Sequence, residues 1–151
     1  MTGIEPLEEP LAALKDRVAF RGHPMVRATH RTTIEITTEG RLTEQGDCIV
    51  GVLAEKGCAA LDGRLKDALR RTGSRVAFRL VVEGKAFAFS AAGGPGLELS
   101  DLHEMVIRKS EFLSPRTLAI GSSAAAKDIP REMVDDLRNP EARGWLEMTV
   151  V

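Results

Sequence analysis

Gly51 to Arg70 reads GVLAEKGCAALDGRLKDALR and Ala119 to Arg138 reads AIGSSAAAKDIPREMVDDLR, two stretches that align without a gap. Val52, Leu61, Leu65 and Leu69 fall opposite Ile120, Ile129, Met133 and Leu137, and Asp67 and Arg70 fall opposite Asp135 and Arg138. Upstream, Gly22-His23-Pro24 matches Gly93-Gly94-Pro95, and Ile34-Glu35-Ile36 matches Met105-Val106-Ile107. The pattern predicts two pseudo-symmetric halves, residues 22–73 and 93–140, each a strand-loop-strand-helix unit.

The local signals fill in that frame. Leu7, Leu11 and Leu14 at helical spacing predict a helix over Pro6–Arg17, read as an N-terminal arm (residues 1–17) on a single β-rich domain (18–151). Val18–Arg21 opens the first strand. In Met25–Thr38, Val26, Ala28, His30, Thr32, Ile34 and Ile36 alternate with Arg27, Thr29, Arg31, Thr33, Glu35 and Thr37. Such alternation predicts a strand with one buried and one wet face, His30 inward and the arginines outward. Further strands are expected over Cys48–Ala54, Leu97–Leu99, Glu104–Lys109, Thr117–Gly121 and Trp145–Val151, with a hairpin of Arg75–Val82 and Lys85–Ser90 about Glu83-Gly84. Helices are expected over Ala59–Arg71 and Ile129–Arg138, the second capped by Asp128. The sum is a mainly β fold with two or three helices: an antiparallel β-sandwich or closed, jelly-roll-like barrel.

Composition narrows the function classes without selecting one. At 151 residues, 43% of them hydrophobic, with a net charge of −1, the chain has the make-up of one soluble domain. It has no global attraction to nucleic acid or membrane. Cys48 and Cys58 are the only cysteines. The acidic N-terminus (Glu5, Glu8, Glu9) lacks a signal-like apolar segment, so reduced thiols in a cytoplasmic protein are expected. No apolar run approaches the roughly 20 residues that span a bilayer. Two halves already joined in one chain favour a monomer over an obligate dimer.

Several motifs in one order carry a family resemblance: Gly22-His23-Pro24, Arg27 to Thr33 (RATHRTT), Gly46 to Gly51 (GDCIVG), Met105 to Ser110 (MVIRKS), Arg116 to Ile120 (RTLAI) and Pro130 to Val134 (PREMV). From about Phe20 to the C-terminus the chain resembles the archaeal family catalogued as domain of unknown function 371. The resemblance implies an archaeal cytoplasmic protein with a jelly-roll-like β fold and implies no activity, so function has to be argued from residues.

The leading candidate site is basic. Arg27 and Arg31 share a predicted strand face, about 13 Å apart over four residues. With Arg108, Lys109 and His23 they suit the phosphates of RNA or a nucleotide. No aromatic residue interleaves them, which argues against base stacking there. The competing reading is a small-molecule hydrolase or isomerase, with His30 as general base oriented by Asp101 or Asp47. A third is an assembly component.

His23, His30, His103, Asp47 and Cys48 are metal-ligand types without ligand-like spacing, so no metal is assigned, and no cofactor is identified. Cys58, just ahead of a predicted helix, is the one candidate thiolate nucleophile. Gly93-Gly94-Pro95-Gly96 could offer backbone N–H groups to an anion but lacks the phosphate-loop lysine.

Overall fold

The computed structural model describes residues 14–42 and 46–151. In chain order the elements are β1 (Lys15–Arg21), β2 (Thr33–Thr37), β3 (Ile49–Gly51), a 3-10 turn (Cys58–Ala60), α1 (Gly63–Leu69), β4 (Arg75–Val82) and β5 (Lys85–Ala92). Then come β6 (Glu104–Arg108), β7 (Thr117–Ala119), a second 3-10 turn (Ala126–Asp128), α2 (Arg131–Leu137) and β8 (Arg143–Val150). The strands form two four-stranded sheets, β1-β8-β4-β5 and β3-β2-β6-β7. Neither closes into a barrel. Buried residues of both sheets, among them Phe20, Phe78, Leu80 and Leu146 from the first and Ile34, Ile36, Met105 and Ile107 from the second, belong to one continuous core.

The first sheet follows the alternation in its sequence. β4 is exposed at Arg75, Ala77 and Arg79 and buried at Val76, Phe78, Leu80 and Val82, and β8 repeats the pattern around Leu146, Met148 and Val150. Glu83 (φ 48°) and Gly84 (φ 83°) both adopt left-handed backbone, as a two-residue hairpin turn requires.

The second sheet departs from expectation. It is mixed, with antiparallel β2–β6 at its centre and short parallel partners, β3 and β7, at its edges. The strand expected over Met25–Thr38 is reduced to Thr33–Thr37, because Ala28 turns into left-handed backbone (φ 51°). Leu99 takes the same value, and no strand forms over Leu97–Leu99.

The face read as wet is covered as well: Thr33, Glu35 and Thr37 are all buried. The expected helix Ala59–Arg71 divides into a 3-10 turn and α1, and Asp62 caps α1 through Oδ1, accepting from the Arg64 and Leu65 N–H groups. Asp128 does not cap α2; its carboxylate accepts from the Ala125 N–H one turn earlier, and Pro130 precedes the helix. Of the expected N-terminal helix, residues 6–13 lie outside the described residues, and Lys15–Arg17 belong to β1.

The pairings recur in matched form. β2 meets β3 at Glu35↔Ile49 and Ile36↔Gly51; β6 meets β7 at Val106↔Thr117 and Ile107↔Ala119, each pair with a register shift at its centre. Arg21 bridges Val52 as Ala92 bridges Ile120. His23 N–H donates to the Leu137 carbonyl at 2.8 Å, and Gly94 N–H to the Leu69 carbonyl at 2.8 Å. Across the centre, Ile34↔Ile107, Glu35↔Val106 and Ile36↔Met105 face each other, so Glu35 and Val106 meet at the midpoint. Positions on one side of this centre therefore have backbone counterparts on the other, and the side chains of counterparts can be compared directly.

Candidate functional site

Two groups of polar side chains lie on the second sheet. The first is the cationic end of the β2–β6 pair. Thr33 pairs with Arg108, and Lys109 N–H donates to the Thr32 carbonyl at 2.8 Å. Lys127 N–H donates to the His30 carbonyl at 3.0 Å. The Arg131 guanidinium donates to the carbonyls of Arg27 (3.2 Å) and Ala28 (2.8 Å). The backbone thus brings Arg27, Arg31, Lys109, Lys127 and Arg131 to the end of the pair that holds His30, while the Arg108 guanidinium turns to Thr117 and Ser114.

The carboxylate in contact with them is Asp128, which holds Lys127 at 3.1 Å and Lys109 at 3.5 Å. The Ala125 N–H, then these lysines, lower its pKa from the ordinary carboxylate value. Asp47 is adjacent, its carbonyl accepting from the Thr29 and His30 N–H groups.

The counterpart end carries no such charge. Ala59 N–H donates to Asp101 there as Lys127 does to His30, and Thr38 N–H to His103 as Lys109 does to Thr32. Glu98 precedes left-handed Leu99 as Arg27 precedes left-handed Ala28. One backbone arrangement thus presents arginine, histidine and two lysines at one end, and glutamate, aspartate, threonine and alanine at the other.

The expected residues fare unevenly. Arg27 and Arg31 are exposed, but on the irregular chain before β2 and not on the shared strand face expected of them, because the strand starts only at Thr33. Arg108 is tied down: Nε donates to Thr117 Oγ1 at 2.9 Å, Nη2 to Ser114 Oγ at 3.3 Å, and the guanidinium stacks on Phe112 at 4.9 Å. Burial and the nearby Arg116 lower its pKa. His30 is half-buried at the rim, not in the core, because the chain leaves strand geometry before reaching it. Its Nδ1 accepts from the Thr32 N–H at 3.1 Å.

His30 and Asp101 occupy opposite ends of the β2–β6 pair, so the expected dyad does not form; Asp101 instead caps the His103 and Glu104 N–H groups. His23 turns its Nδ1 to the Met25 N–H at 3.0 Å. Gly93 and Gly94 spend their N–H groups on the carbonyls of Ser74 and Leu69, so their loop closes onto α1 rather than on an anion. Among the described residues no three His, Cys, Asp or Glu side chains are placed to hold a metal.

The second group was not foreseen. Glu35, 5% exposed, receives the Cys48 thiol on Oε1 (3.4 Å), while Arg116 Nη1 stands 3.6 Å from Oε2. Arg116 is held more closely by Glu104, at 2.6 Å. Burial, then repulsion from Glu104, push the Glu35 carboxyl up to about 7 against the pull of Arg116. The Cys48 thiol is pushed up to about 12 by burial and by Glu35, and Cys58 to about 12 by burial and Asp101, so neither is a ready nucleophile. A cleft of about 430 Å³ lined by Thr37, Ile49, Glu104, Glu39, Gly40 and Arg41 opens beside Glu35, whose register partner is Ile49.

A carboxyl that titrates near neutrality can both accept and return a proton. The signal for this group lay in the alignment of the two stretches, where Glu35 stands opposite Val106. The other residues missed, Lys127 and Arg131, reach the site from the entry to α2, a long way along the chain from Arg27.

A curated relative from Methanocaldococcus jannaschii, described as uncharacterized protein MJ0206, is 41% identical over 121 residues, covering 80% of this chain and 89% of its own length. Among the described residues no helix is long and apolar enough to cross a membrane. A family model described as domain of unknown function (DUF371) matches residues 18–151, and the chain belongs to that family.

Proposed function

We propose that this is a cytoplasmic, monomeric binding module for a phosphate-bearing partner, RNA or a nucleotide, grown from one duplicated unit whose halves have diverged in charge. The observation that carries this is the contrast between backbone counterparts: Arg27, His30, Lys109 and Lys127 against Glu98, Asp101, Thr38 and Ala59. A fold that needed those charges for stability would carry them at both ends. Arg27 and Arg31 are the reaching groups, suited to bidentate contact with phosphate oxygens. Arg108, held by Thr117 and Ser114, and Lys109, paired with Asp128, add to the basic character of the same end of the β2–β6 pair.

Charge reversal at the two exposed arginines, Arg27→Glu with Arg31→Glu, is expected to weaken binding of a single-stranded RNA oligonucleotide at least tenfold at low salt. The slope of log affinity against log salt should flatten by about 1.4, the share of two phosphate contacts on a single strand. Unchanged affinity and slope in the double variant would refute the site.

The enzyme reading loses Asp101 as a partner for His30, keeps Asp47 beside it, and gains Glu35 as a second candidate for the proton-transferring group. Its support is a buried carboxyl where the counterpart position holds valine. Native mass spectra of freshly purified protein test it. A retained small molecule that Glu35→Gln loses would favour it, and bare protein in both samples would count against it.

A further inference from the structure

We propose that the outer face of the first sheet is a platform for single-stranded nucleic acid, with Trp145 as the stacking surface; this rests on the reading that the partner carries phosphates. Strand register sets the face out in rows. Ala19, Trp145, Val81 and Ala86 are register partners across β1, β8, β4 and β5 and make one apolar row. On one side of it lies the row Arg17, Glu147, Arg79, Ala88, and on the other Arg21 with Arg143. Rows two residues apart along a strand are separated by about 6.7 Å. A lane for bases thus runs between two rails of guanidinium groups.

Lys15 and Arg75 extend the same face, which makes six basic residues against Glu147 within the rows and Glu55 and Glu83 at their ends. Of the six, Arg79 alone is ion-paired among the described residues, with Glu147 at 3.0 Å. Ala19, Ala77, Ala86 and Ala88 are exposed and keep the surface low. Trp145, the only tryptophan of the chain, is fixed in this row by Arg17 over its ring at 5.0 Å and by its Nε1–H donating to Glu147 at 2.9 Å.

Here charge and aromatic surface come together, the combination that single strands use: guanidinium groups for the backbone, a ring and a stacked arginine for the bases. Glu55 closes the β1 end of the lane, accepting from the Ala19 N–H, and Glu83 borders the Arg143 rail, accepting from the Arg143 N–H.

The position of Trp145 makes the test direct. Titrating the full chain with an RNA oligonucleotide of about a dozen nucleotides should quench its tryptophan emission, and Arg17→Gln with Arg143→Gln should weaken binding at least tenfold. Binding without quenching, or undiminished in that double variant, overturns the platform. So does equal affinity for duplex, or displacement of the oligonucleotide by polyglutamate, since either marks a surface that reads charge alone. Binding that survives Arg17→Gln/Arg143→Gln but fails in Arg27→Glu/Arg31→Glu removes the platform and leaves the cationic end. No binding to any strand at low salt removes both.

Discussion

Replacing Glu35 by valine is expected to stabilise the protein, and to do so more at pH 8 than at pH 4.5. The carboxyl is 5% exposed and its pKa rises from 4.5 to about 7 on folding, chiefly through burial. The folded state therefore holds its proton more tightly than the unfolded chain does. Below about pH 4.5 both states are protonated and the shift costs nothing. As pH climbs from there to about 7 the unfolded chain gives up its proton first and stability falls; above 7 the full cost is present. A displacement of this size corresponds to about 3 kcal/mol as an upper value.

Valine is the natural comparison because Val106, directly opposite across β2–β6, packs at 1% exposure in the counterpart position. Arg116 keeps Glu104 when Glu35 is gone, so no cation is stranded. Denaturant unfolding of both proteins across pH 4.5 to 8 is the check. A stability difference that grows with pH supports the account, and one that is flat refutes it.

Gly22→Ala and Gly93→Ala are each expected to cost about 3 kcal/mol or more. A methyl group on Gly22 would lie 2.2 Å from the Asn139 carbonyl oxygen and 2.4 Å from that of Leu137; on Gly93 it would lie 2.2 Å from the carbonyl oxygen of Leu69. These are backbone atoms at the ends of α2 and α1. The Leu137 and Leu69 carbonyls also accept from His23 and Gly94, so they cannot withdraw without losing a hydrogen bond. Gly73→Ala is the control. Its neighbourhood is empty and only its left-handed backbone (φ 75°) resists the change, at about 1 kcal/mol. Thermal unfolding of the three variants should rank them accordingly. Near-native behaviour of Gly22→Ala and Gly93→Ala would mean that the helix ends do not dock where described.

What could be read from the sequence followed from local pattern. The β4–β5 hairpin and β8 declare themselves because one face packs on the core and the other meets water, so period-two alternation survives undisturbed. β2 misleads for the opposite reason. Its Thr33, Glu35 and Thr37 point outward but are covered by Cys48, Arg116 and the chain around Ser114, groups contributed from distant positions. β3 and β7 are three-residue strands in parallel pairing, too short to show a period.

Arg27 and Arg31 are exposed as expected, although the strand whose alternation suggested it does not extend to them. Their companions Lys127 and Arg131 could not be read from the sequence, because it is tertiary packing that brings the entry to α2 against the chain before β2. The His30–Asp101 pairing failed because a two-fold arrangement of an antiparallel pair sends counterparts to opposite ends rather than together.

The central claim, that charge divergence between counterpart positions marks the binding end, is tested most directly by backbone amide NMR during titration with a single-stranded RNA oligonucleotide. Shifts are expected at Arg27–Arg31, Lys109 and Lys127, with Glu98–Leu102, Thr38 and Ala59 left unmoved. Equal perturbation of both ends, or none at the first, would contradict it.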